Sequence, residues 1–197
     1  MMRRPAAIAM LCGLAALAAG CGSTPPSRFY ILSGTATSAA APSDLSVAVG
    51  PVTIPSAVDR PQMVVNMGAN QVELDEFNRW AAPLQNNISR VVAVNLGALL
   101  GASRVTLFPQ MLSADADFRV AIEVQRFEST PGEAAVLDAV WTVRRAKDGK
   151  SDTGRTTVRE AVQEKSLDVL VAAHSRAIAR MSQDIAAAVR ALDGTTQ

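Results

Sequence analysis

The sequence predicts an α/β fold, a mixed or antiparallel sheet packed by two main amphipathic helices, in a single domain that follows an N-terminal signal segment. Three observations predict it. From Phe118 to Val124 apolar and polar residues alternate, with Phe118, Val120, Ile122 and Val124 on one side and Arg119 and Glu123 on the other, as in a half-buried strand. Two longer stretches, Phe77 to Leu99 and Leu167 to Leu192, place apolar residues every three or four positions instead, the period of a helix with one buried face. Pro, Gly, Asp and Asn punctuate the chain between such segments, where it must turn. Strands and one-faced helices bury their apolar sides together when the helices lie on the sheet.

In chain order, "RFYIL" (Arg28 to Leu32) reads as a short strand rich in aromatic and branched residues. Leu45 to Val52 is a second strand, stopped by the segment around Pro51 and Pro55. Met63 to Phe77 divides into two short strands joined at Gly68 to Asn70, with Val72 and Leu74 on one face of the second and Glu73 and Asp75 on the other. Phe77, Trp80, Leu84, Ile88, Val91 or Val92, Leu96 and Leu99 then form a helical stripe ending near Gly101, with Pro83 in the first turn, where its missing N–H costs little. Arg104 to Pro109 is a compact strand, the alternating run at Phe118 follows, and Ala134 to Arg145 is another strand. Lys147 to Lys150 contains the Asp-Gly pair favoured in hairpins, and the returning strand, Arg155 to Val162, carries the Thr and charge of a sheet edge. The last helix starts after Ser166 as N-cap, buries Leu167, Leu170, His174, Ile178, Met181, Ile185, Val189 and Leu192, and stops at Gly194.

The N-terminus is of another kind. Arg3 and Arg4 precede a nearly unbroken apolar run from Ala6 to Ala19, which as a helix reaches only about 21 Å against the ~30 Å hydrocarbon core of a bilayer. That is a secretory signal peptide rather than a spanning anchor. Ala18, Ala19 and Gly20 lead directly into Cys21, which resembles a bacterial lipobox, with Leu17 one position further out than the usual leucine. The resemblance implies that Cys21 becomes the lipidated first residue; residues 1–20 are then a lipoprotein signal peptide, 21–27 a lipidated tether stiffened by Pro25 and Pro26, and 28–197 one periplasmic α/β domain. Gly22 in place of an aspartate implies the outer membrane, facing the periplasm. Several acyl chains on one cysteine hold a protein firmly where one chain holds it marginally. With Cys12 lost in the signal peptide and Cys21 acylated, no thiol remains for a disulfide, a zinc site or a nucleophile. A formal net charge of +1 without a basic block excludes a nucleic-acid footprint. Ser33 to Asp44, "SGTATSAAAPSD", reads as a second flexible stretch.

No catalytic constellation emerges. His174 lies on the apolar stripe of the last helix, which reads as a core histidine. Glu73, Asp75 and Glu76 form a tight acidic cluster, but alternation separates their side chains and no second ligand group accompanies them, so they read as a solvated strand end rather than a metal site. Trp80 on the helix stripe, and Trp141 on a face with Leu137, Ala139 and Val143, read as core. There is no Walker A motif, no Gly-rich dinucleotide turn and no Gly-x-Ser-x-Gly elbow. No cofactor is expected beyond the covalent lipid on Cys21.

"RFYIL" close behind the cysteine, "VGPVTIPSAVDRPQMVV" (Val49 to Val65), "FNRWAAPLQNNISRVVAVNLGALLG" (Phe77 to Gly101), Phe108-Pro109 and "VAAHSRAIARMSQDIAAAV" together resemble the PqiC-like (paraquat-inducible) lipoproteins. These are auxiliary lipoprotein components of ABC-type lipid transport systems that contain MCE proteins. The resemblance implies a non-catalytic protein anchored at the outer membrane that docks a periplasm-spanning MCE-domain protein, with outer-membrane lipid and a ring-like homo-oligomer as further partners. Asp59, Arg60, Pro61 and Gln62 are the expected partner-binding residues, the alternative being that Asp59 and Arg60 pair and pin their loop. A scaffold or regulator of peptidoglycan synthesis is the second function class, opposed by the short tether. An envelope hydrolase using His174, Glu73 or Asp75 is the third.

Overall fold

A computed structural model describes residues 25–37 and 40–194; the signal peptide and Cys21 lie outside them. Among the described residues, eight strands form two sheets rather than one. A three-stranded sheet has the order β1-β4-β3, from Arg28–Tyr30 (β1), Gln62–Gly68 (β3) and Gln71–Trp80 (β4). A five-stranded sheet has the order β5-β2-β6-β7-β8, from Ser43–Thr53 (β2), Ala102–Leu107 (β5), Phe118–Thr130 (β6), Ala134–Arg145 (β7) and Ser151–Ala161 (β8). Both sheets are mixed or contain parallel pairs. β1 runs parallel to β4, and β2 runs parallel to both β5 and β6, while the β3–β4 pair and the β6–β7–β8 meander are antiparallel. β8 is an edge, as its Thr-rich, charged sequence predicts.

Helix α1 is Leu84–Leu100 and helix α2 is Leu167–Asp193. α1 packs on β5 and β2, α2 packs on β7 and β8, and the two helices touch, so one face of the large sheet is covered. The caps of α2 stand where the sequence places them: Ser166 is extended at the N-cap, and Gly194 adopts the left-handed conformation with its N–H on the Arg190 carbonyl. The start of α1 differs from expectation. Phe77 and Trp80 belong to β4, and Pro83 is the N-cap rather than part of the first turn. β2, expected from Leu45 to Val52, spans Ser43–Thr53, and it holds Pro51 because its register with β6 shifts between Val49 and Val52, an irregularity that accommodates a residue without an N–H.

One core joins both sheets and both helices. Val47, Val49, Phe118, Val120, Ile122, Leu137 and Val143 from the large sheet meet Ile88, Leu96, Ile178, Met181 and Ile185 from the helices. Tyr30, Leu32, Met63 and Trp80 bring the small sheet into the same cluster, with Trp80 edge-on to Phe127 of β6 at 6.2 Å between ring centroids. The opposite face of the large sheet is polar, the arrangement antiparallel strands permit. There Arg155 grips Asp138 through two hydrogen bonds of 2.8 and 2.6 Å, holding the Asp138 carboxyl below the usual carboxylate range. Residues expected to be a flexible stretch are partly a strap: the Ser33 amide donates to Ser175 Oγ and the Ala36 amide to Asn95 Oδ1, tying the segment after β1 to both helices.

Candidate partner-docking surface

The segment between β2 and β3 carries Asp59, Arg60 and Pro61, and Gln62 opens β3. Pro55 accepts from the Val58 amide at 3.0 Å and Val58 from the Arg60 amide at 2.9 Å, so Ser56–Val58 is a turn that projects Asp59 into solvent. The loop is held at both ends. Gln85 of α1 donates to the Val52 carbonyl, and the Trp80 amide donates to the Pro61 carbonyl at 2.8 Å. Arg60 is half-buried, its Nε is enclosed with no hydrogen-bond partner among the described residues, and no ion pair joins it to Asp59 there. A buried donor without an acceptor costs stability.

Gln62 belongs to a different neighbourhood, that of the acidic cluster. Asp75 Oδ1 accepts from the Phe77 amide at 3.0 Å and the Asn78 amide at 2.9 Å, and Asp75 Oδ2 accepts from Asn78 Nδ2 at 2.8 Å. This aspartate turn inserts a bulge into β4: pairing with β3 jumps from Met63–Asp75 to Gln62–Arg79, leaving Glu76, Phe77 and Asn78 without cross-strand partners on β3. Glu76 then accepts from Gln62 Nε2 at 3.2 Å and lies 3.5 Å from Arg79 Nη2, while Asn78 Oδ1 accepts from the Tyr30 hydroxyl at 3.1 Å. Asp75 and Glu76 therefore do separate work in shaping the strand, and Glu73 is exposed on it. The bulge is what the sequence reading missed, and Asp75 two and three residues before Phe77 and Asn78 was its signal.

His174 has a hydroxyl partner that periodicity did not reveal. Its Nε2 is 2.8 Å from Ser129 Oγ, its ring stacks on Phe127 at 3.9 Å, and burial lowers its pKa to about 3. A serine beside a histidine suggests a nucleophile and base, yet the histidine is 0% and the serine 3% exposed, and Nδ1 has no carboxylate or other partner among the described residues. An imidazole held neutral far below neutral pH is a poor proton acceptor at pH 7. The pair is core, as the stripe predicts. Trp141, likewise, is buried on the helix-covered face with Leu137, Ala139 and Val143.

A family model described as the ABC-type transport auxiliary lipoprotein component matches residues 30–186, from the first strand to the last helix. The chain belongs to this family. As an auxiliary transport lipoprotein it is part of an ABC-type transport system rather than of an enzyme family, and no helix among its described residues is long and apolar enough to cross a membrane. The lipoprotein shares its fold with two crystal structures. One is of an uncharacterized protein, with 19% identity, a TM-score of 0.69 and coverage of 84% of this chain and 99% of that one. The other is protein XCC0632 from Xanthomonas campestris, with 17% identity, a TM-score of 0.69 and coverage of 86% and 100%. No curated protein matches it.

Proposed function

We propose that the lipoprotein is anchored through an acylated Cys21 to the periplasmic face of the outer membrane, where it docks the periplasm-spanning MCE-domain protein of an intermembrane lipid transport system. The observation that carries this reading is the family match over residues 30–186, which makes the chain an accessory of ABC-type transport. The N-terminal sequence supplies the anchor: residues 1–20 are the signal peptide, Cys21 to Ser27 the tether, and 28–197 the domain. The lipoprotein contributes position, and the transporter's ATPase contributes energy. Asp59, Arg60, Pro61 and Gln62 form the partner contact, supported by the exposed Asp59 on a loop held at both ends.

The test is purification of the tagged, membrane-extracted lipoprotein in mild detergent, with co-purifying proteins identified by mass spectrometry. Recovery of an MCE-domain protein with its transporter subunits is expected; recovery of a peptidoglycan synthase in their place overturns the reading. Arg60→Ala separates docking from folding. It is expected to reduce recovery of the partner several-fold while moving the melting temperature by no more than about 3 °C, the scale of a 1 kcal/mol change in a domain of this size. A large melting loss with undiminished recovery assigns Arg60 to loop stability instead.

A further inference from the structure

Ten large apolar residues are exposed among the described residues, and six of them, Phe29, Ile31, Met67, Val72, Leu74 and Phe77, belong to the small sheet or the residue that follows β1. Such a concentration marks a contact surface. Register places them on one face apart from Met67, which shares the side of Met63 and Val65. Tyr30 pairs with Trp80 on the core side, so the neighbouring Phe29–Arg79 and Gln62–Arg79 pairs face away from it. Counting along β3 from Gln62 puts Val64 and Asn66 on that outward side, and with them their partners Leu74 and Val72. Phe29 is 65% and Val72 55% exposed, while the bulge of β4 turns Phe77 outward beside them.

The tether leaves the fold at this surface. Pro25 and Pro26 line a cleft together with Leu74, Phe77 and Arg28. Pro25 is four residue steps from Cys21, a span of at most about 14 Å even when fully extended. Acyl chains on Cys21 therefore hold the bilayer surface within that distance of the point where the apolar face begins. From these observations we infer that the outward face of β1, β4 and β3 rests on the lipid bilayer, with Phe29, Val72 and Leu74 seated among the headgroups. This rests on the acylation of Cys21 given under the proposed function. Phe at headgroup depth, flanked by the exposed Arg28, has the composition of an interfacial contact. The sheet then fixes the orientation of the domain, which flexible acyl chains alone leave free.

The experiment uses acylated full-length protein extracted from membranes and reconstituted into phosphatidylethanolamine/phosphatidylglycerol vesicles whose acyl chains carry bromine, a contact quencher of tryptophan. Phe29→Trp and Leu74→Trp report on two strands of the face, so one misfolding variant does not remove the readout. Met111→Trp is the comparison, since Met111 is 92% exposed on the connection after β5 and shares no element with the small sheet. The unaltered protein gives the background from Trp80 and Trp141. The expected result is loss of roughly half the added emission at positions 29 and 74, as for indoles at interfacial depth, and no loss at 111. Vesicle-bound, acylated protein with no quenching at 29 or 74 overturns the inference and leaves the anchor intact. A blue-shifted emission there without quenching overturns it too, by showing that protein covers the face. Absence of the acyl mass on Cys21 overturns the anchor and this inference together.

Discussion

Lowering the pH from 8 to 5 should destabilise the domain through His174. The side chain is fully buried, and desolvation holds its pKa at about 3 against about 6.5 in an unfolded chain. Above pH 6.5 neither state binds the proton, and the full stability is present. Between pH 6.5 and 3 only the unfolded state binds it, so stability falls as pH falls. At about 1.36 kcal/mol per pH unit, the loss at pH 5 is about 2 kcal/mol. Asp117, held low chiefly by the Ser46 hydroxyl, and Asp138, held low by Arg155, lose their contributions only as pH drops below the ordinary carboxylate range, so they remain in place at pH 5. The assay is urea denaturation of the wild type and His174→Gln at both values. With an m-value near 2 kcal/mol/M, the wild-type midpoint moves down by about 1 M, and the variant, lacking the titrating ring, moves far less. His174 is the sole histidine, so its ring also gives an unambiguous NMR signal. A ring that titrates near pH 6.5 in the folded protein, or equal midpoint shifts in both proteins, refutes the reasoning.

Two glycines give sharper structural tests. Gly101 ends α1 at φ +60°, and a Cβ there would lie 2.1 Å from the Ala41 carbonyl oxygen. Gly101→Ala combines a left-handed alanine, about 1–2 kcal/mol, with a backbone collision, and is expected to lower stability by more than about 2 kcal/mol in urea melts; a neutral result places the strap elsewhere. Gly154 lies opposite Trp141, and its Cβ would come within 2.3 Å of the indole ring. Gly154→Ala should rotate the ring, break the 3.0 Å hydrogen bond from Trp141 Nε1 to Thr156, shift tryptophan emission and cost about 1–3 kcal/mol; unchanged emission contradicts the packing.

Legibility in the sequence followed locality. α2 could be read to its caps because Ser166, the buried stripe and Gly194 lie within one continuous segment. The start of α1 could not, since Phe77 and Trp80 match the helical spacing to Leu84 by coincidence: the Asp75 turn displaces β4 so that Trp80 reaches the core from a strand. β6 outran its alternating stretch for a related reason. A register shift between Val124 and Arg126 changes the phase, so that Val124 and Phe127, three apart, are both buried. The division into two sheets depends on parallel pairs such as β1–β4 and β2–β6, whose partners are far apart in sequence and leave no local trace. At the candidate surface, the loop from Ser56 to Met63 was visible as a charged pair before proline, whereas the meeting of Gln62 with Glu76 required the bulge.

That bulge connects the two segments on which the transport reading depends. The tether feeds β1, whose Tyr30 hydroxyl bonds Asn78, and the docking loop feeds β3, whose Gln62 bonds Glu76. Asn78 and Glu76 flank Phe77 within the bulge that Asp75 organises. The Trp80 amide holds the Pro61 carbonyl, and the Ala81 amide holds the Tyr30 carbonyl, so the end of β4 fixes both segments again two residues further on. The proposed anchor and docking loop are thus strung on one strand, and the large sheet with its two helices lies beneath it through Trp80 and Phe127. Under the proposed docking and acylation, a partner that draws on Asp59 and Arg60 pulls against β4, and β4 transmits the load to β1 and the proposed lipid anchor by hydrogen bonds rather than through the core.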